Sequence, residues 1–376
     1  MGTCKSGLLG CLVVVLGLAG CGGSGEEAGG DGARPAAAGV VHVYNWSDYI
    51  AEDTIPGFER ETGIKVTYGM FDSNELLEAK LLAGGSGFDV VVPSLQFLGR
   101  QIQAGVFQPL DKSRLENYSG LDPALMERIA IQDPGNQYAV PYLWGTTGIG
   151  YNVEQITKRM PDAELNSLSL VFDPENAKKL ASCGIYLLDT PYEIVPLALL
   201  YNGLDPQSAE DADLEKAFAT LEAIRPYVKK FHSSEFISAM ANGEACLTVG
   251  YSGDLFLANA RSKAAGNTFE IKYMIPKEGA RLSAEQCVIF ENAKHKDAAY
   301  QFINFMLDAK NNARAANYVE YSTSNLAAHE FINPHLLKEE ALYPSDEECK
   351  KLIMKRPYTL KEQKKMTKMW IKLKDK

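Results

Sequence analysis

Short apolar runs alternate with amphipathic stretches along the first part of the chain. The pattern predicts, in order, strand 40–44, helix 55–62, strand 65–68, helix 72–83 and strand 88–93. Asp72, with Glu75 three residues later, has the spacing of a capping box and places the start of the second helix at Asp72. Strands that alternate with helices indicate a parallel α/β sheet, whose ligands gather at the loops after the strands' carboxyl ends. The loops at 46–48 and at Ser94 are in that position.

The same alternation continues through the region 146–279. Strands are predicted at 183–188 and 246–250, and a later helix at 298–307. The segment 350–376 holds eleven Lys or Arg against two acids, which favours a solvated helix face over an interaction patch. Because 376 residues exceed the usual size of one hydrophobic core, two lobes are expected.

The amino terminus has the pattern of a secretion signal. Lys5 precedes an apolar stretch at 8–18, which is too short to span a bilayer as a helix. Small residues lead to Cys21 and resemble a lipobox, so we expect 1–20 to be a lipoprotein signal peptide and Cys21 to be lipidated. An ordinary signal peptide or a buried apolar strand is the alternative. The Gly-, Ala- and acid-rich segment 21–39 is predicted to be a flexible tether.

Charge and motifs exclude several classes of function. A net charge of −10 argues against nucleic acid as a partner. The sequence contains no GxSxG, P-loop, HExxH or GxGxxG motif, so no catalytic residue and no cofactor is predicted. Four cysteines remain after the predicted lipid attachment site, an even number suited to an oxidising compartment, and their spacing makes a zinc site improbable. These cysteines are Cys183, Cys246, Cys287 and Cys349.

An aromatic residue next to a carboxylate recurs in loops that follow apolar strands. The three cases are Trp46–Tyr49, Pro191–Glu193 and Tyr251–Asp254. A primary ammonium that leaves water needs carboxylates for charge-assisted hydrogen bonds, and it gains further from aromatic ring faces. The three loops together predict a binding site for a small organic cation.

Several segments resemble the periplasmic polyamine-binding proteins, most of all their putrescine-binding branch. The segments are 43–50, 71–78, 87–94, 105–112, 141–152 and 275–279. The resemblance implies a type II periplasmic binding protein fold, with two α/β lobes joined by crossing strands and a ligand in the interlobe cleft. It places 40–145 with 280–322 in lobe 1, and 146–279 with 323–376 in lobe 2.

The resemblance also implies the ligand residues and one disulfide. The residues that match the family's ligand contacts are Trp46, Ser47, Asp48, Ser94, Glu193, Tyr251, Asp254, Ser283, Glu285 and Tyr321. Cys183 and Cys246 match the family's second-lobe disulfide, whereas a bond between Cys287 and Cys349 is left open. Three of these residues depart from the putrescine binders, because Tyr251 replaces Trp, Glu285 replaces Asp and Ser283 replaces an aromatic residue.

The family likeness predicts a monomeric, lipid-anchored protein of the periplasm that captures a polyamine for an ABC permease. The three departures leave open whether the ligand is putrescine, spermidine, agmatine or another amine. Three other functions remain as alternatives: capture of an amino acid, a sensor role without transport, and hydrolysis by a carboxylate pair.

Overall fold

The computed structural model describes residues 39–84, 87–354 and 356–375. The strands are β1 Val40–Trp46, β2 Lys65–Phe71, β3 Val90–Val91, β4 Ala139–Asn152, β5 Ile185–Leu187, β6 Val228–Phe231, β7 Leu247–Tyr251, β8 Ile271–Met274, β9 Ala280–Ile289, β10 Ser322–Thr323 and β11 Leu352–Ile353. The helices are α1 Thr54–Thr62, α2 Asn74–Leu82, α3 Leu95–Gln103, α4 Pro123–Ile129, α5 Val153–Arg159, α6 Ser169–Phe172, α7 Pro174–Leu180, α8 Pro191–Tyr201, α9 Asp211–Ile224, α10 Glu235–Ala241, α11 Ser252–Ala264, α12 Lys296–Leu307, α13 Ala309–Val319, α14 Asp346–Cys349 and α15 Leu360–Lys374.

The strands form one mixed sheet in the order β2-β1-β3-β9-β4-β7-β5-β6. Each end of the sheet is parallel, as the alternation of strands and helices predicts: β1 pairs in parallel with β2 and β3, and β5 with β6 and β7. The middle is antiparallel, because β4 and β9 run past each other between the two parallel parts. The alternation of strands and helices did not predict this antiparallel middle. The family resemblance did, because β4 and β9 are the crossing strands that it implies.

Two separate hydrophobic cores lie on the two parts of the sheet. The first contains residues from 41–143 and 280–352, and the second contains residues from 149–273 and 358–373 together with Phe97. Buried residues such as Leu336 and Leu342 thus pack in the first core, although the predicted division placed 323–376 in lobe 2. The exact lobe bounds stay a prediction.

The second helix begins one residue later than the capping-box pattern predicts. Ser73, in extended conformation, is the N-cap of α2, and its hydroxyl accepts a hydrogen bond from the amide of Leu76 at 3.2 Å. The assignment of Asp72 as the cap is therefore wrong. A serine hydroxyl at this position can accept from the exposed first-turn amides just as a carboxylate can, so the sequence pattern did not separate the two.

Cys183 and Cys246 form a disulfide with a Cα–Cα distance of 5.5 Å, which confirms the predicted pairing. In the described part of the chain, Cys287 and Cys349 are not bonded to each other. The predicted signal peptide 1–20, the lipidation site Cys21 and the tether up to residue 38 lie outside the described residues. Among the residues that the structure does describe, no helix is both long and apolar enough to cross a bilayer.

Candidate functional site

A cavity of about 260 Å³ lies where the carboxyl ends of both parallel parts of the sheet meet. All of the predicted ligand residues except Glu193 line it. The loops after β1 and β3 supply one side of the lining, the end of β7 and the first turn of α11 supply the opposite side, and the crossing strand β9 runs between them. This is the position expected for a ligand of an α/β sheet.

Glu285 is an almost fully buried carboxylate of the crossing strand β9, 7% exposed. It accepts hydrogen bonds from the hydroxyls of Tyr49 and Ser94, both at 2.9 Å, and a longer one from Ser283 at 3.4 Å. Burial, with a smaller contribution from the nearby charge of Asp254, raises the pKa of Glu285 to about 7, although the hydrogen bonds from Tyr49 and Ser94 act in the opposite direction. Among the described residues, Glu285 makes no ion pair with a cationic side chain.

Asp254 is the second carboxylate of the cavity, in the first turn of α11. It accepts a hydrogen bond of 2.7 Å from the hydroxyl of Tyr321. Burial raises the pKa of Asp254 to about 7, although this hydrogen bond acts in the opposite direction. Among the described residues neither carboxylate forms an ion pair, although the charge of Arg261 lowers the pKa of Asp254. Hydroxyl groups donate the hydrogen bonds to both, so each retains the capacity to bind an ammonium group.

The Tyr321 ring packs directly against the backbone of Gly253. A Cβ atom at Gly253 would lie 2.0 Å from this ring, so the glycine is what allows the ring to reach Asp254. Tyr321 also meets Tyr49 edge to face, with 4.8 Å between the ring centroids. Together with Trp46 and Tyr251, these rings give the cavity an aromatic wall near Asp254 and Glu285.

Asp48 lies at the exposed end of the cavity, in the left-handed region at φ 55°. Its carboxylate pairs with Arg261 of α11 at 3.0 Å. Asp48 and Tyr321 belong to the side that contains β1. Arg261 and Asp254 belong to the opposite side, on α11. These two contacts therefore join the two sides across the cavity.

Glu193 does not line the cavity. Its side chain is 1% exposed and lies at the start of α8, where Gln96, Thr147 and Arg281 donate hydrogen bonds to it. The structure thus separates Glu193 from the other predicted ligand residues.

The prediction from sequence missed one part of the lining. Tyr49 and Asp72 follow β1 and β2, Arg261 lies on α11, and the remaining missed residues precede or begin α10: Ser233, Ser234, Glu235, Ile237 and Ser238. The serines follow the carboxyl end of β6, which is the signal that could have identified them. Glu235 and Phe236 repeat the pairing of a carboxylate with an aromatic residue there, a second signal that the prediction did not use.

Comparison with known proteins gives a consistent family. The profile of the bacterial extracellular solute-binding proteins matches residues 55–344. The chain is 46% identical to the putrescine-binding periplasmic protein SpuD of Pseudomonas aeruginosa, over 89% of this chain and 92% of the relative. It is 44% identical to the putrescine-binding periplasmic protein PotF of Escherichia coli, over 89% and 91%. The crystal structure of the spermidine/putrescine substrate-binding protein PotD from Streptococcus pneumoniae matches with a TM-score of 0.73 and 29% identity, over 90% of this chain and 99% of the other.

Proposed function

The chain belongs to the bacterial extracellular solute-binding proteins, and from that membership we propose that it captures a polyamine for import by an ABC transporter. The observation that carries the proposal is the pair of carboxylates, Asp254 and Glu285, which lie among aromatic rings and form no ion pair among the described residues. A ligand with an ammonium group at each end would neutralise both. Its methylene chain would lie against the rings.

Two features of the cavity support a short, flexible amine. Its volume of about 260 Å³ suits a small ligand, and its lining contains both carboxylates and aromatic rings, which suit the ends and the methylene chain of an alkyl diamine. Ser283 adds space where the putrescine binders have an aromatic residue. Putrescine, spermidine and agmatine are therefore the ligands to compare, and the relatives SpuD and PotF are described as putrescine-binding.

The family and its relatives are solute-binding proteins of transport systems and not enzymes. The ligand is accordingly released unchanged. The partners that this role requires are the permease subunits of the importer, which would receive the ligand from a monomeric binding protein.

Attachment to the membrane through lipid on Cys21 belongs to the same proposal, with the folded part of the protein in the periplasm. The short apolar stretch and the lipobox-like residues before Cys21 support it. Labelling with a fatty-acid probe in the bacterial host should mark the wild type and leave Cys21→Ser unlabelled. Equal labelling of both would contradict the anchor.

Native mass spectrometry of protein purified from its host tests the ligand directly, because the bound mass identifies the amine. Calorimetry on the stripped protein should then give binding of the diamine putrescine. Butylamine has the same carbon chain with a single ammonium and serves as the matched control; it should bind at least tenfold more weakly because one carboxylate stays unpaired. Failure of the stripped, folded protein to bind putrescine, spermidine or agmatine would overturn the polyamine proposal.

A further inference from the structure

The crossing strand β9 presents three polar side chains in a row beside and below the cavity. Side chains alternate between the two faces of a strand, so Arg281, Ser283 and Glu285 lie on the same face. Ser283 and Glu285 line the cavity, and Arg281 continues the row beyond it, opposite Thr147 of β4. A buried cation is therefore built into the strand that carries one of the two ligand carboxylates.

Arg281 forms a buried ion pair with Glu193. Its guanidinium lies 3.2 Å from the Glu193 carboxylate and also donates to the backbone carbonyl of Tyr192, and the two side chains are 3% and 1% exposed. A buried carboxylate without a counterion is costly, and a guanidinium that donates hydrogen bonds to it removes that cost.

The rest of the Glu193 carboxylate is also occupied. Gln96 donates to the oxygen that faces Arg281, at 2.9 Å, and the Thr147 hydroxyl donates to the other oxygen at 2.8 Å. Both oxygens thus have partners in the protein. Glu193 has its charge balanced and its acceptors filled before any ligand arrives.

The acids that line the cavity differ in whether a cationic side chain already neutralises them. Asp48 pairs with Arg261 and Glu235 with Lys230, whereas Asp72 is exposed to solvent. Asp254 and Glu285 remain as the carboxylates of the cavity that hydroxyl groups alone hold.

We infer that Arg281 determines the charge of the ligand: by neutralising Glu193, it limits the ammonium-binding carboxylates to Asp254 and Glu285 and makes the site selective for dications over trications. This inference rests on the proposed function and names the ligand class of the same site. A third ammonium would meet only Asp48 and Glu235, which are already paired with cationic side chains, and the exposed Asp72, whose charge water screens.

Two variants test the role of Arg281. Arg281→Met replaces the guanidinium by an apolar side chain and leaves the charge of Glu193 unbalanced next to the cavity. The double variant Arg281→Met/Glu193→Gln removes both charges together and keeps an amide that can replace the hydrogen bonds of Glu193. Calorimetry at pH 8 would measure the affinity of each variant and of the wild type for putrescine, a dication, and for spermidine, a trication. Circular dichroism and thermal unfolding would establish that each variant is folded.

In Arg281→Met, the ratio of spermidine affinity to putrescine affinity should rise about tenfold, because an added negative charge attracts a trication more than a dication. In the folded double variant the ratio should stay within about threefold of the wild type. A wild-type ratio in folded Arg281→Met would overturn the inference, as would a loss of putrescine binding beyond about thirtyfold in the folded double variant, since Glu193 would then be a ligand carboxylate. If Arg281→Met does not fold, the double variant still decides. A wild-type protein that binds neither amine would contradict the proposed function itself.

Discussion

Burial is the chief cause that raises the pKa of the Asp254 carboxyl group and that of the Glu285 carboxyl group to about 7. In the unfolded chain the pKa of such groups is near 4. Between about pH 4 and pH 7 the folded, ligand-free protein therefore holds protons that the unfolded chain has lost. For these two groups, stability without ligand is greatest below pH 4 and decreases as the pH rises to 7.

A bound ammonium reverses this dependence because it stabilises the ionised carboxylates. Binding below pH 7 must release protons, so the affinity for a diamine should fall as the pH falls through 7. We expect putrescine to bind at least tenfold more weakly at pH 5 than at pH 8. Calorimetry across this range measures it, and Asp254→Asn should show a shallower dependence. An affinity independent of pH would mean that the two groups are already ionised in the empty cavity.

Replacement of Asp254 by Asn tests the charge of the site at constant shape. Removal of one partner of a buried ammonium–carboxylate pair costs on the order of 2–5 kcal/mol, which is a loss of at least about thirtyfold in affinity. Asp48→Asn is the matched control, because Asp48 is exposed and already paired with Arg261. It should weaken diamine binding severalfold at most. Equal losses in the two variants would show that Asp254 is not the principal anchor.

The sequence was sufficient to identify most of the cavity, because Trp46, Ser94 and Tyr251 each lie at the end of a strand that the apolar pattern marks. It could not reveal the partner of Glu193. Arg281 is 88 positions away along the chain, and the two meet because α8 packs against the crossing strand β9. Charge alone made Glu193 resemble Asp254, although one is neutralised by a cation and the other is not.

Among the secondary-structure elements, the disulfide joins the end of a 3-10 turn before β5 to the residue that precedes β7. These neighbouring parallel strands belong to the second core. The bond closes a loop of 63 residues, so its loss in Cys183→Ser/Cys246→Ser should reduce the free energy of unfolding by about 2–4 kcal/mol.

Urea unfolding measures this change, and Cys349→Ser, at a cysteine outside the bond, controls for the replacement of cysteine by serine. Affinity for the ligand should change little in the folded double variant, since neither cysteine lines the cavity. Unchanged stability of the double variant would show that the bond does not constrain the unfolded chain.

Helix α10 shows why part of the lining could not be predicted at the level of elements. Its residues contribute Glu235, Ile237 and Ser238 to the cavity, but a helix of seven residues after a short strand has no distinctive pattern. Its proximity to β1 and β3 depends on how the two parts of the sheet face each other. That relation follows from the antiparallel pairing of β4 with β9, which the local alternation of strands and helices does not encode.

For the whole molecule, the contacts across the cavity indicate that ligand binding and closure are coupled. Tyr321 reaches Asp254, and Asp48 reaches Arg261, from opposite sides. A dication held by Asp254 and Glu285 together would bind the closed arrangement more tightly than an open one and so would shift the population towards it. Small-angle scattering should show a smaller radius of gyration on addition of putrescine. The same ligand concentration should leave Asp254→Asn less compact, and a radius unchanged at saturation would contradict the coupling.

The arrangement of the two cores also has a consequence for the order of folding. The second core draws mainly on one continuous stretch, 149–273, whereas the first needs 41–143 together with 280–352. Closing the first core therefore joins segments separated by most of the second, and such distant contacts form late because of their entropic cost. Pulse-labelling hydrogen exchange during refolding should thus protect the amides of β5 and β7 before those of β1 and β3. During synthesis, the segment 41–143 could not complete its hydrophobic core until residues 280–352 had been made.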